Sequence, residues 1–137
     1  MDKESSRRSF IKKSAVAGSA ALIAPTIVPS SVFGANDRIN AAVLGLNGRG
    51  KSHIQGFMSQ KNVKIKTFCD PDMNILKERQ KSFKEKYNAD VVLEQDLRKV
   101  MDDKEIDVIS IASPNHWHAL TTIWACQAGK DVYVEKH

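Results

Sequence analysis

Between Gly45 and Gly50 the chain reads Gly-Leu-Asn-Gly-Arg-Gly, directly after an apolar run. Gly45 and Gly50 match the first and third glycines of a G-x-G-x-x-G pattern, and Asn47 holds the second. In that pattern the first glycine permits a tight turn, the second lets the backbone approach a pyrophosphate, and the third lets helix and strand pack closely. Asn tolerates left-handed torsions better than most residues, so Asn47 is expected to substitute for the glycine, with Gly48 adding freedom beside it. The N–H groups from Gly48 onward, through Arg49 and Gly50, would then meet an anion where the helix dipole favours one. Asp70 follows 20 residues after Gly50. An acid at that offset can accept from both hydroxyls of a ribose and repels a 2′-phosphate. The chemistry implied is dinucleotide binding, with NAD preferred to NADP on charge grounds. Asp70 also has a local reading as the N-cap of a helix begun by Pro71, and the two roles can coexist.

Cys69 and Cys126 lie far apart with no paired spacing. A zinc site or disulfide framework is not expected, and both are read as small buried hydrophobes. No metal centre is assigned.

The elements that would position these residues alternate regularly. Ile39 to Leu44 is a short apolar run ending at glycine, as a buried parallel strand does. Residues 51–60 form a helical pattern with Ile54, Phe57 and Met58 on one face, and Val63 to Phe68 alternates as a second strand. Asp72 to Tyr87 reads as a long helix with Met73, Leu76, Phe83 and Tyr87 inward. Its lysines intermix with Glu78 and Glu85, which describes a solvated face. A third strand is expected over Asp90–Leu93, then a helix capped by Asp96 through Met101. A fourth strand covers Ile106–Ala112. A helix capped by Asn115 follows, carrying Leu120, Ile123 and Trp124, and a fifth strand runs over Asp131–Val134. Alternation of this kind implies an α/β fold, a doubly wound parallel sheet with helices on both faces.

With the fourth strand a family resemblance emerges. The stretch Ala112-Ser113-Pro114-Asn115-His116-Trp117-His118-Ala119 and the later Ala128-Gly129-Lys130-Asp131-Val132-Tyr133-Val134-Glu135-Lys136 resemble the Gfo/Idh/MocA oxidoreductases. With the glycine loop and the Cys69-Asp70 strand end, the resemblance covers essentially all of residues 37–137. It implies a Rossmann-type NAD(P)-binding domain with five of the usual six strands, and a C-terminal α/β domain that lies outside this chain. It also implies that Ser113, Pro114 and Asn115 sit beside the nicotinamide ribose and pyrophosphate, with His118 in the following helix. Glu135 and Lys136 match the first two residues of the family's Glu-Lys-Pro motif, whose lysine contacts cofactor and substrate near the reacting carbon. Lys136 is therefore the candidate catalytic residue, able to polarise or share a proton with a substrate hydroxyl. The chain departs from the family at Asn47 and at His137, where proline is usual. For His116 the sequence leaves a surface position and a cofactor-edge contact open. Trp117 is read as packing on its own helix.

The N-terminal residues carry a different message. Ser6-Arg7-Arg8-Ser9-Phe10-Ile11-Lys12 precedes a soft run, Ser14 to Ala24, broken by Pro25 and Pro29. It resembles a twin-arginine (Tat) signal, and the run is too short and mild to span a bilayer, which needs about 20 apolar residues. Residues 1–34 are expected to be a cleaved Tat signal peptide, read by the Tat translocase and delivering a periplasmic or otherwise exported protein with no stable membrane insertion. This segment contributes five basic residues and two acidic ones, so removing it lowers the net charge from +5 to +2. What remains gives no global case for nucleic-acid or membrane binding.

The resemblance implies hydride transfer between a nicotinamide cofactor and a sugar, polyol or related carbohydrate, performed by a longer protein. For this chain alone the expectation is a dinucleotide-binding domain without turnover. A second expectation is an NAD-dependent glycoside hydrolase, which oxidises a sugar transiently, eliminates the glycosidic substituent and reduces the product back. Homo-oligomers are expected only with the C-terminal domain.

Overall fold

A computed structural model describes residues 38–135. The expected signal segment, Lys136 and His137 lie outside the described residues. The order of elements is β1 (Ile39–Leu44), α1 (Gly50–Met58), β2 (Val63–Cys69), α2 (Met73–Tyr87), β3 (Val92–Glu94), α3 (Leu97–Asp102), β4 (Val108–Ile111), α4 (Asn115–Gln127) and β5 (Asp131–Val134). All pairings are parallel, and the strands lie in the order β3-β2-β1-β4-β5. The order reverses at β1, so the crevice between β1 and β4 is the switch point of a Rossmann-type sheet.

Residues 41–44 of β1 are buried on both sides because they are small to medium and apolar, and they alternate between two cores. Ala42 and Leu44 join Ile109, Ile111, Val100, Met101 and Ala125, the side covered by α3 and α4. Val43 joins Ile65, Phe68, Ile54, Leu76 and Phe83, the side covered by α1 and α2. Helices thus cover both faces, as the alternation implies. Register brings the strand ends level: Leu44 pairs with Cys69 on one side and Ile111 on the other. Gly45, Asp70 and Ala112 consequently leave the sheet along one edge.

Several local expectations are corrected. Strand β3 starts at Val92 rather than Asp90, because as an edge strand it pairs only along Thr67–Cys69 of β2. Strand β4 starts at Val108, since its ladder with β1 begins at the Ala41–Val108 pair. Ile106 is buried ahead of it as core. In α4, Thr121, Trp124 and Ala125 face the sheet, while Leu120 and Ile123 are exposed. Small side chains let this helix lie close to β4 and β5, which turns the bulky pair outward. Cys69 is buried as expected, but Cys126 is exposed on the outer side of α4. Asp72, not Asp70, caps α2 by accepting from the Asn74 N–H. Asp96 caps α3 as expected.

Lys130 is a buried lysine that follows Gly129. Its Nζ donates to the carbonyls of Asp103 and Ile106 at 2.5 and 2.9 Å. Those contacts satisfy the ammonium and pin the start of β5 beneath the α3–β4 turn, since a buried charge must be paired or hydrogen-bonded.

Candidate functional site

Two glycines of the loop are required by contact, not merely tolerated. Gly45 has φ +81°, and a Cβ there would stand 2.6 Å from the Ser113 nitrogen and 2.8 Å from the Ala112 carbonyl carbon. A Cβ on Gly50 would collide with the Gly45 carbonyl oxygen. The loop therefore folds back on itself and lies flat against the β4 end. Gly48 has open space around it and no positive φ. Asn47 also keeps negative φ, because Asn88 is the one non-glycine with positive φ among the described residues. The expected left-handed Asn47 is corrected: the tight turn is made at Gly45, so position 47 needs no glycine-like torsion.

The backbone donors of the loop divide into two sets. The Gly45 N–H bonds the Cys69 carbonyl at 2.9 Å, and the Leu46 N–H bonds Asp70 Oδ2 at 2.8 Å. The N–H groups of Asn47, Gly48 and Arg49 donate to no group among the described residues. They stand exposed at the start of α1, whose first turn holds no acid. Exposed helix-terminal donors with a positive dipole end and Arg49 beside them form an anion cradle.

These donors border a cleft of about 660 Å³. Of the residues singled out from sequence, Gly45, Asn47, Gly48, Arg49, Asp70, Ser113 and Pro114 line it. Asp70 is 7% exposed; its Oδ2 holds Leu46 and its Oδ1 accepts from the Asp72 N–H at 3.0 Å. A carboxylate offers about four lone-pair sites, so this Asp retains acceptor capacity toward the cleft. Ser113 Oγ is buried with no hydrogen-bond partner among the described residues. A buried hydroxyl without a partner costs free energy, and a polar ligand in the cleft would remove that cost.

The remaining singled-out residues lie around the cleft rather than on its wall. Gly50 is buried beneath the loop as a packing position. Asn115 is exposed and is the first residue of α4; the cap is Pro114, which has extended torsions, so the expected Asn115 cap is corrected. His118 Nε2 donates to the Ser113 carbonyl at 2.6 Å, holding the β4–α4 turn in place. Glu135 accepts from Arg49 Nη2 at 2.6 Å, and its other oxygen lies 3.3 Å from His53 Nε2. The Arg49 hydrogen bond, then that of His53, holds the Glu135 carboxyl below the ordinary carboxylate range.

Sequence reasoning missed several contributors. Trp117, 45% exposed, also borders the cleft, with its ring 5.9 Å from that of His116 on the same helix. Ile75, Gln95, Leu97 and Thr121 supply further wall from α2, the β3–α3 turn, α3 and α4. Their side chains reach the cleft through strand crossovers, which no local spacing reveals. Burial raises the thiol of Cys69, also on the wall, to about 12, so it is an apolar surface there and not a nucleophile.

Comparisons with known proteins agree with this geometry. Residues 39–136 match the GFO_IDH_MocA family, described as an oxidoreductase family with an NAD-binding Rossmann fold. A glycosyl hydrolase family 109 protein of Shewanella baltica is 30% identical over 104 residues, 72% of this chain and 22% of the relative. A second such protein, from Shewanella sp. strain ANA-3, is 27% identical over 94% of this chain and 33% of its own. Among solved structures, myo-inositol 2-dehydrogenase from Lactobacillus plantarum superposes with a TM-score of 0.60 at 29% identity, covering 72% of this chain and 28% of that one. The chain spans about a quarter to a third of the length of these relatives.

Proposed function

The chain belongs to the Gfo/Idh/MocA oxidoreductase family, and from that premise we propose that residues 37–137 hold NAD for hydride transfer to or from a carbohydrate or polyol. One observation carries the reading. A loop that cannot accept a Cβ at Gly45 or Gly50 presents three N–H groups, unpartnered among the described residues, to a cleft containing the Asp70 carboxylate and a Ser113 hydroxyl that likewise has no partner among them. A dinucleotide fits that donor set: pyrophosphate on the Asn47–Arg49 N–H groups, one ribose on Asp70, the other near Ser113, Pro114 and Asn115. Asp70 favours NAD over NADP because a 2′-phosphate would meet a buried carboxylate.

When bound, the nicotinamide supplies the hydride acceptor or donor. The protein's part is to bind, orient and move a proton. His118 contributes by fixing the turn that carries Ser113. Lys136 follows Glu135 and is assigned the proton at the substrate hydroxyl or carbonyl oxygen, on the strength of the family motif. Sugar orientation belongs to residues outside this chain, as do oligomer contacts.

The names of the Shewanella relatives favour a second reading, net glycoside hydrolysis with NAD retained. In the oxidative direction both readings begin with hydride removal from a sugar carbon. They diverge in whether the hydride returns to the product. Export is part of the proposal: residues 1–34 would be a Tat signal, and the 94% match to the strain ANA-3 relative is too long to fit within residues 35–137.

Calorimetric titration with NAD⁺ and NADP⁺ tests the site, and a stronger NADP⁺ interaction would overturn the assignment to Asp70. Incubating full-length protein with cyclitols, free sugars and aryl glycosides separates the two readings. NADH accumulating with an oxidised sugar supports dehydrogenation, whereas aglycone release with no net NADH supports hydrolysis.

A further inference from the structure

One buried histidine has no part in the reading above. His53 lies on α1, one turn beyond Arg49, with 3% of its side chain exposed. Its Nδ1 is 2.7 Å from Ser110 Oγ on β4, and its Nε2 is 3.3 Å from Glu135 Oε2. A carboxylate only accepts, so Nε2 must carry the ring proton; in the neutral ring Nδ1 then accepts from the Ser110 hydroxyl. The second Glu135 oxygen accepts from Arg49 Nη2. Ser110, His53, Glu135 and Arg49 thus form one hydrogen-bonded chain across β4, α1, the end of β5 and the glycine loop. The Tyr133 ring meets His53 edge-on at 5.3 Å and closes the side of the chain.

Arg49 is where this chain reaches the cofactor cleft. It borders both that cleft and a second cavity of about 310 Å³, which His53, Tyr133 and Glu135 also line. Only Nη2 is committed to Glu135, and a guanidinium has five N–H donors, so capacity remains for phosphate oxygens. His53 is held at both ring nitrogens. Displacing Glu135 would strand a buried N–H, which is costly.

We infer that His53 is a positioning residue: through Glu135 it anchors Arg49, and with it the pyrophosphate face of the glycine loop, to the β5 end of the sheet. The inference rests on the dinucleotide reading of the cleft. It makes a spatial distinction, because Asp70 ends β2, on the other side of β1 from β5. The adenosine side is independent of the tether, and the nicotinamide side depends on it.

The test is calorimetry on the full-length protein with two probes, NAD⁺ and adenosine, which carries no phosphate. His53→Phe keeps the ring volume and removes both nitrogens. It is expected to weaken NAD⁺ roughly 10-fold through lost preorganisation while changing adenosine by no more than about twofold. His53→Gln, which can still offer an N–H to Glu135, should restore most of the NAD⁺ affinity. Glu135→Gln should reproduce the selective loss, and the double variant should bind no worse than either single one, as members of one unit do. A carboxyl-carbon NMR titration gives a readout without ligand: the Glu135 midpoint should move up in His53→Phe. If the unmutated protein binds neither probe, the dinucleotide site falls and the tether with it. If it binds NAD⁺ but His53→Phe and Glu135→Gln leave the NAD⁺-to-adenosine ratio unchanged, the tether alone is overturned. Should His53→Phe fail to fold, Glu135→Gln at its more exposed position decides by the same ratio.

Discussion

At the residue scale Asp70 carries two duties that are inseparable in the sequence and distinct in the structure. Its carboxylate clamps the Leu46 and Asp72 N–H groups, and it faces the cleft where a ribose would lie. Asp70→Ala should therefore cost about 1–3 kcal/mol of stability, the penalty for stranding buried donors, measured by denaturant unfolding. It should also shrink the preference for NAD⁺ over NADP⁺, read by paired titrations. Asp70→Asn bears mainly on the second duty, because it keeps one of the two acceptor oxygens and loses the charge. A smaller loss of stability than in Asp70→Ala, since one of the two clamped N–H groups loses its acceptor, with a narrowed cofactor preference is the expected result. An unchanged preference in both variants would leave Asp70 as a loop clamp only.

At the scale of elements, the three glycines of the loop do different jobs. Gly45→Ala meets backbone atoms at both Ala112 and Ser113 and must hold a positive φ, itself worth roughly 1–2 kcal/mol. Loss of both stability and NAD⁺ binding is expected. Gly48→Ala meets nothing within 4 Å and has no positive φ, so thermal unfolding should show it neutral or stabilised by about 0.4–1 kcal/mol. Its NAD⁺ affinity should nevertheless fall, because the added methyl occupies the space a pyrophosphate would approach. Full NAD⁺ affinity in Gly48→Ala would move the phosphate site elsewhere. Helix α3 offers a pH test. The Asp96 carboxyl is held at about 2, first by the Arg98 side chain and then by the Arg98 N–H it caps. A depressed carboxylate stabilises fully above its ordinary value of 3.8, and that contribution is lost as pH falls toward 2. The Tm gap between the unmutated protein and Asp96→Ala should be open at pH 7 and close between pH 4 and 2.

For the whole molecule, the described domain is a Rossmann-type domain, and the proposed reaction needs more than it supplies. It has a cleft for a dinucleotide, and the relatives it matches are three to four times longer. The 137-residue chain is expected to bind NAD⁺ without measurable dehydrogenase turnover, checked by absorbance at the NADH band. In the full-length protein Lys136→Ala should lower kcat by roughly 100-fold while NAD⁺ binding persists, as removal of a positioned proton-transfer group would. An unchanged kcat would exclude Lys136 from proton transfer. Export has its own test: Arg7→Lys with Arg8→Lys keeps the charge but loses the paired guanidinium groups. Retention in the cytoplasm is expected, and undiminished delivery would sink the Tat reading.

Periodicity and punctuation in the sequence determined the order of the strands and helices, and the offset from Gly50 to Asp70 determined which loop and which acid belong to one site. Those signals are local, because each depends on residues a few positions apart or on one β-α-β unit. Tertiary structure decided the rest. Whether Gly48 or Asn47 needs unusual torsions depends on how Gly45 meets Ala112 and Ser113 just past β4, 67 and 68 residues away. Which side of α4 is buried depends on how closely Thr121 and Ala125 let it approach the sheet, and that turned Leu120, Ile123 and Cys126 outward. The partners of Glu135 are set 82 and 86 residues back, at His53 and Arg49, by the parallel crossovers that bring β5 beside β4. Hydrogen bonds of that range have no sequence period, so only the folded chain reveals them.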